Sequence, residues 1–367
     1  MSVTDTVNTN DMMKAVGYTK SLPINDPESL IDIELPQPNA TGHDLLVKVS
    51  AIAVNPVDYK IRQRISPSDD PNYSDNYKVL GWDAVGEVIA TGEAVTWFNP
   101  GDRVYYAGDL NRQGSNAEYQ LVDERLVGIK PKSLSNAEAA ALPLTAITAW
   151  EMLFEHLVIQ QQTPKQPSLT QTEKPNEVIL VVGAAGGVGS ILLQLAKTLT
   201  TATIIATASR ESSQVWVKKL GADYVVDHTQ PLQPQINDLI ENEGVGQVTH
   251  VASLTHTDSY FDSYIELLAP FGKIAMIDDP NAIDVMKMKP KSLSLHIEFM
   301  FARSMFNATD IQEQSRLLNR VSDLVDQGYI QTTVGKNLGP INARNLREAH
   351  QELESETSIG KIVLQGF

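Results

Sequence analysis

The chain has 367 residues, 42% of them apolar and 20% charged, which is enough apolar material for two cored domains and excludes a disordered chain. Its 29 Lys and Arg face 45 Asp and Glu, a formal net charge of −16, which disfavours phosphate backbones and anionic lipid surfaces and leaves room only for a local basic pocket for one small anion. Cysteine is absent, which excludes a disulfide framework, a thiolate-held zinc and a cysteine nucleophile.

The opening MSVTDTVNTNDMM has neither the basic nor the apolar stretch of a secretory signal, and no run of 18 apolar residues occurs. The expectation is a cytoplasmic protein without nucleic-acid or membrane partners. Short β-rich runs follow at Leu45–Ala53, Val85–Ala90 and Asp102–Tyr106, bounded by Gly, Pro and Asp. Their spacing predicts a compact, barrel-like β unit. Beyond Pro131 the texture changes, and Asn136–Phe154 reads as helix with a break near Pro143. Gln160–Asn176 is polar, carries three prolines and shows no apolar period, as an exposed insertion does.

From Glu177 strands and helices alternate. Val178–Val182 is a continuous apolar run suited to a strand buried on both faces, and Val188, Ile191, Leu192, Leu195 and Leu199 follow at helical spacing. Ile204–Ala208, Tyr224–Val226, Val248–Ala252 and Lys273–Ile277 read as further strands, with a helix at Gln214–Leu220. This alternation implies a doubly wound parallel sheet of dinucleotide-binding size. Asp310–Gln327 is a helical stretch, and Lys361–Leu364 a closing strand.

Between the first of these strands and its helix stands a glycine-rich turn, with Ala184, Gly186 and Gly189 at the positions of a G-x-G-x-x-G fingerprint and Gly187 and Val188 inside it. Glycines let the backbone approach a pyrophosphate, and the helix N-terminus offers that anion free N–H groups and a positive dipole. About 20 residues further on, where an NAD enzyme carries an acid for the ribose 2′-hydroxyl, the chain reads Ala208-Ser209-Arg210. A neutral Ser209 and a cationic Arg210 suit a 2′-phosphate, so NADPH is the expected cofactor. A solvated loop arginine, with Glu211 beside it, is the alternative. Ser253 and Leu254, and then Ile277, follow strands at carboxyl edges where ligands collect in such folds.

With these motifs in hand, the sequence resembles the medium-chain dehydrogenase/reductase superfamily, in its zinc-free quinone oxidoreductase branch. The resemblance runs through Ala53–Lys60 (AVNPVDYK), Leu80–Val88 (LGWDAVGEV), Pro100–Val104 (PGDRV), Pro143–Ala146 (PLTA), the glycine turn and Gly360–Leu364 (GKIVL). His296–Phe306 (HIEFMFARSMF) is similar to a bacterial subgroup labelled zinc-type alcohol dehydrogenase-like. The resemblance implies a GroES-like β-barrel domain over 1–145 and a Rossmann domain over 146–305. It also implies a segment 306–367 that returns to the first domain, and a homodimer. Zinc-dependent relatives carry a cysteine within the segment matching Val54–Asp58, a histidine in the segment matching Gly81–Asp83, and a further cysteine or acid near Leu144. Here these read Asn55, Trp82 and Leu144, and Asp83 alone does not hold zinc, so no metal is expected.

Without a metal, reduction of a quinone or an α,β-unsaturated carbonyl is the expected reaction, since the oxyanion then needs only hydrogen-bond donors. The segment that the family places beside the nicotinamide supplies Asn55 and Tyr59 as candidate donors, with a turn-forming Asn and a packing Tyr as the alternatives. Thr145, Arg303 and Lys361 are candidate cofactor contacts by the same resemblance; each has a structural alternative, in helix packing, a surface ion pair and a solvated lysine. Carbonyl or alcohol oxidoreduction, and a weakly catalytic nucleotide-binding protein, remain the rival functions. The expected partner is a small electron acceptor.

Overall fold

The computed structural model describes residues 12–67, 77–164 and 177–367. The chain falls into two compact units. The first comprises residues up to Leu144 together with Phe301–Asp326 and Val334–Phe367; the second comprises Thr145–Met300 and Gln327–Thr333. Most of the polar insertion at 160–176, and of the loop from Ile65 to Asn76, lies outside the described residues.

The first unit opens with β1 (Met12–Tyr18), β2 (Ile31–Pro36), β3 (Asp44–Val54), β4 (Lys78–Val79), β5 (Asp83–Thr91), β6 (Arg103–Ala107), β7 (Tyr119–Asp123) and β8 (Val127–Ile129). β2, β1 and β4 form a small antiparallel sheet. The long β3 organises the rest: β5 pairs along one side of it, and β7 pairs with its first half. Helix α1 (Pro56–Arg64) leaves the end of β3. Asn55 is its N-cap, Pro56 supplies a first helical residue that needs no N–H partner, and Asp58 accepts the Asn55 N–H at 2.7 Å.

The expected helical stretch after Pro131 is α2 (Asn136–Ala140) and α3 (Pro143–Trp150), with a π-helical turn over Glu151–His156. The break falls where a proline cannot continue the ladder but can start a new helix.

The second unit holds β9 (Val178–Val182), β10 (Thr203–Thr207), β11 (Tyr224–Val226), β12 (Val248–Ser253), β13 (Leu268–Met276) and β14 (Ser294–Ile297). They form one parallel sheet in the order β11-β10-β9-β12-β13-β14. All five residues of β9 are buried at its centre. Helices α4 (Gly187–Leu199), α5 (Glu211–Lys219), α6 (Leu232–Asn242) and α7 (Thr257–Leu267) make the crossovers. Leu180, Ile205, Val251, Phe261 and Ile274 are part of one apolar cluster. The strand order reverses beside β9, the point at which this architecture takes its ligands.

The last strands, β15 (Val334–Asn337) and β16 (Lys361–Gln365), pair in parallel and belong to the first unit. β16 pairs antiparallel with residues 51–54 of β3, so a residue near the C-terminus lies against Val54. No helix among the described residues is long and apolar enough to cross a membrane.

Candidate active site

In the second unit β9 runs into the glycine turn. Gly183 has a φ of +80° and donates its N–H to Thr207 Oγ1 at 3.1 Å, which ties the turn to the end of β10. A Cβ on Gly189 would stand 2.3 Å from the Ala184 carbonyl oxygen, so only glycine lets α4 start this close to the turn. A Cβ on Gly186 would meet nothing nearer than the Gly183 oxygen at 3.5 Å, so that side of the turn is open to a ligand. Gly186 caps α4 in an extended conformation without a side-chain partner for the first-turn N–H groups. Gly187 and Val188 are half-buried and Ala184 is fully buried. An open backbone cradle with an uncapped helix start fits a dinucleotide pyrophosphate.

The turn is braced from behind. Ser190 Oγ donates to the Gly186 carbonyl at 2.7 Å and accepts the Trp216 indole N–H at 2.8 Å, which links α4 to α5. Over the other edge, Leu254 donates its N–H to the Val182 carbonyl at 3.1 Å, and a Cβ on Gly183 would touch Thr255 and Leu254. Leu254 and Ile277 are half-buried at the carboxyl ends of β12 and β13.

Ser209 follows β10 and is half-buried, with its hydroxyl 3.3 Å from His228 Nε2; Arg210 is exposed and caps α5. Ser253 differs from the expectation of a ligand-facing hydroxyl. It is fully buried and bonds Thr257 Oγ1 at 2.7 Å and Tyr264 Oη at 2.9 Å. Thr257 in turn donates its backbone N–H to Asp278 at 2.7 Å, so these hydroxyls fasten α7 to the sheet. Thr145 is buried in α3.

The first unit contains a second polar assembly. Lys361 enters on β16, is 4% exposed, and points its ammonium at Asp83 (2.9 Å), the Val54 carbonyl (3.1 Å) and the Asn55 side-chain oxygen. Asp83 is fully buried and also accepts the Asn55 amide at 2.8 Å and the Leu144 N–H at 2.7 Å, which places a carboxylate at the start of α3. Asp58 is buried beside them. Burial pushes its carboxyl up to about 7, against the Asn55 N–H and the Lys361 charge, which favour ionisation.

This placement differs from three expectations. Asn55 is 1% exposed, and its amide faces Asp83 and the Ala53 carbonyl while its oxygen takes Lys361, so every polar atom of the side chain has a protein partner. Lys361 has three protein acceptors for its three N–H bonds, so it is buried and paired rather than a solvated lysine. Arg303 forms a two-nitrogen contact with Asp310, at 2.9 and 3.1 Å, within the first unit. Tyr59 lies half-buried in the first turn of α1, next to Asp58.

The donor set does not fit zinc. The matching positions hold Asn55, Trp82 and Leu144, and an ammonium already bonds the adjacent Asp83 carboxylate. Trp82 is buried, with its ring 5.9 Å from Phe301. Among the described residues no three His, Cys, Asp or Glu side chains converge in a way that holds a metal ion.

Sequence reading missed two features. Nothing local in the sequence marks the approach of His228 to Ser209, because the adjacent parallel strands β10 and β11 bring them together. The Lys361–Asp83 pair spans 278 residues. The Asn-Pro-x-Asp pattern at Asn55–Asp58 did carry a legible helix-start signal.

The family model for the alcohol dehydrogenase GroES-like domain matches residues 41–135, and that for zinc-binding dehydrogenases matches residues 220–364. A zinc-type alcohol dehydrogenase-like protein of Staphylococcus epidermidis is 38% identical over 353 residues, covering 96% of this chain and 99% of the relative. A chloroplastic NADPH-dependent alkenal/one oxidoreductase of Arabidopsis thaliana is 31% identical over 336 residues, covering 89% of this chain and 73% of the relative. The crystal structure of a Rhizobium etli CFN 42 protein, provisionally described as a zinc-dependent alcohol dehydrogenase, superposes with a TM-score of 0.88 at 51% identity, covering 97% of this chain and 99% of the other. The quinone oxidoreductase of Coxiella burnetii superposes with a TM-score of 0.76 at 25% identity, covering 97% and 100%.

Proposed function

This chain belongs to the medium-chain dehydrogenase/reductase superfamily of oxidoreductases, and from that premise we propose that it is an NADPH-dependent reductase of quinones or α,β-unsaturated carbonyls that works without a bound metal, as a cytoplasmic homodimer. The observation that carries this reading is the position of Lys361. Its ammonium takes Asn55, which stands where zinc-dependent relatives carry a ligand, and Asp83, the neighbour of Trp82 at a second such position. Among the described residues no metal-ligand set stands there to acidify an alcohol, as its oxidation at neutral pH requires. Reduction of a conjugated acceptor needs only donors to the developing oxyanion.

In this proposal the open side of the glycine turn holds the pyrophosphate, and Ser209 and Arg210 take the 2′-phosphate. NADPH, when bound, supplies the hydride. The Tyr59 hydroxyl donates to the acceptor oxygen. Asn55 and Lys361 act behind it, by fixing Asp83 and the start of α3. The choice of NADPH is supported by the missing acid after β10 and by the NADPH-dependent Arabidopsis relative. The acceptor class is supported by that alkenal/one oxidoreductase and by the Coxiella quinone oxidoreductase.

The test is consumption of NADPH, with NADH in parallel, by the purified protein given 1,4-benzoquinone and a short enal. Turnover with NADPH that survives chelation is expected. Chelator-sensitive ethanol oxidation with stoichiometric zinc would overturn the reading in favour of an alcohol dehydrogenase. Tight NADPH binding without turnover of any acceptor would overturn it in favour of a binding protein.

A further inference from the structure

His228 follows β11, and its imidazole meets the residue at which a 2′-phosphate is expected. Nε2 is 3.3 Å from Ser209 Oγ, while Nδ1 is buried with no hydrogen-bond partner. The backbone is held firmly on both sides of it. The His228 carbonyl accepts the Tyr260 hydroxyl at 3.3 Å, and Asp227 uses its carboxylate on the Thr229 N–H and hydroxyl at 2.9 and 2.7 Å. The Asp227 N–H goes to Gln235 at 2.8 Å. The backbone that carries the imidazole is therefore held beside Ser209, and the neighbouring carboxylate is committed to its own turn.

A buried, unpartnered ring nitrogen is a cost that a fold rarely carries without a reason. A neutral imidazole has one N–H and one bare nitrogen, and its environment selects which is which. With the proton on Nε2, His228 donates to Ser209 Oγ and leaves Nδ1 as the bare buried acceptor. The Ser209 hydroxyl then has one lone pair occupied and its own proton free to donate. It becomes a donor, which is what the phosphate oxygens of a 2′-monoester require, since they only accept.

Resting on the proposed NADPH dependence, we propose that His228 is a positioning residue for cofactor choice: it orients the Ser209 hydroxyl as a donor to the 2′-phosphate and so raises affinity for NADPH over NADH. Position supports this assignment. The end of β10 is tied to the glycine turn through the Gly183 N–H to Thr207 bond, two residues before Ser209, and Arg210 caps the next helix.

The test measures Kd for NADPH and NADH separately, by quenching of protein fluorescence or calorimetry, on the wild type and on His228→Leu, His228→Gln and Ser209→Ala. Losing one hydrogen bond to a charged group predicts about tenfold weaker NADPH binding for His228→Leu and Ser209→Ala, with the NADH Kd changed less than about twofold. Gln, which keeps an N–H donor, is expected to retain most of the affinity. A combined Leu and Ala variant is expected to lose little beyond either alone, because the two side chains act as one unit. Equal weakening of both nucleotides by His228→Leu would make the residue merely structural and overturn the inference, as would no change in either. If His228→Leu does not fold, an undiminished NADPH preference in Ser209→Ala overturns it equally. A wild type that prefers NADPH with variants that do not lose that preference sinks this inference alone. A wild type that binds neither nucleotide, or prefers NADH, sinks the proposed function with it.

Discussion

Lys361 and Asp83 form an ion pair with almost no water around it, and such pairs are judged by what remains when one partner goes. Replacing Lys361 with Met leaves the Asp83 carboxylate buried beside the Asn55 amide and the Leu144 N–H without its counter-charge. The expected loss is about 3–5 kcal/mol of stability. The paired variant K361M/D83N is expected to recover a large part of it, because no charge is then left unpaired. Urea unfolding of the wild type, K361M, D83N and the double variant checks this, and an additive double variant would refute it. Two other buried groups of the first unit set opposite pH responses. Asp58 ionises near 3.8 when unfolded but holds its proton to about 7 when folded, so between those values the native state binds more protons and stability falls as pH rises. At full extent that is on the order of 4 kcal/mol. His350 runs the other way. Burial, aided by the Arg62 guanidinium that donates to its Nδ1, lowers it from 6.5 to about 3, so stability falls as pH drops through that range. Asp58→Asn is expected to make the melting temperature climb more steeply from pH 4 to 7, and His350→Gln to flatten it. Curves that stay parallel to the wild type would contradict both assignments.

Among the elements, the glycine turn separates folding from binding. Ala at 189 would put a methyl group 2.3 Å from the Ala184 carbonyl, which α4 relieves only by moving away from the turn. Ala at 186 would point into open space beside the Gly183 oxygen. Gly189→Ala is therefore expected to lower the melting temperature and abolish NADPH binding together. Gly186→Ala is expected to leave the melting temperature within a few degrees and weaken NADPH at least tenfold, because its methyl stands where the pyrophosphate approaches. Thermal unfolding and fluorescence titration decide, and an unchanged NADPH Kd in Gly186→Ala would remove the cradle from the site. The elements around this turn were legible because their signals are local: five buried apolar residues in β9, a glycine turn, and the 3.6-residue stripe of α4. β3, β5 and β6 were legible for the same reason. Other elements gave no such signal. The helix Ala343–Glu354 buries only Ala343, Leu346, Ala349 and His350, too thin a stripe to stand out among its charges. β14 lies 17 residues beyond the last strand of the alternating pattern, and only its parallel pairing with β13 makes it part of the sheet. The Lys361, Asp83 and Asn55 cluster needs three distant strand ends at once, which no periodicity encodes.

At the scale of the whole molecule, the parallel sheet ends at β14. β14 pairs with β13 on one side, and no strand among the described residues takes its other edge. Ile297 at its end is 67% exposed, and Phe299 just beyond it and Phe271 on β13 are exposed too. An unpaired edge with apolar side chains invites another strand, and a second copy of the chain brings an identical one. Charge opposes that association, since each protomer carries a formal −16. Salt screens that repulsion while leaving apolar burial intact, so the proposed homodimer is expected to tighten as ionic strength rises, the reverse of an interface built on ion pairs. Ile297→Lys adds a charge that pairing of two edges would bury, and is expected to shift sedimentation at micromolar concentration from dimer to monomer. NADPH affinity is expected to stay within about twofold, because the cradle hangs on β9, with β12 and β13 between it and this edge. A wild type that sediments as a monomer at every salt concentration refutes the dimer. A dimer that Ile297→Lys leaves intact places the contact elsewhere on the molecule.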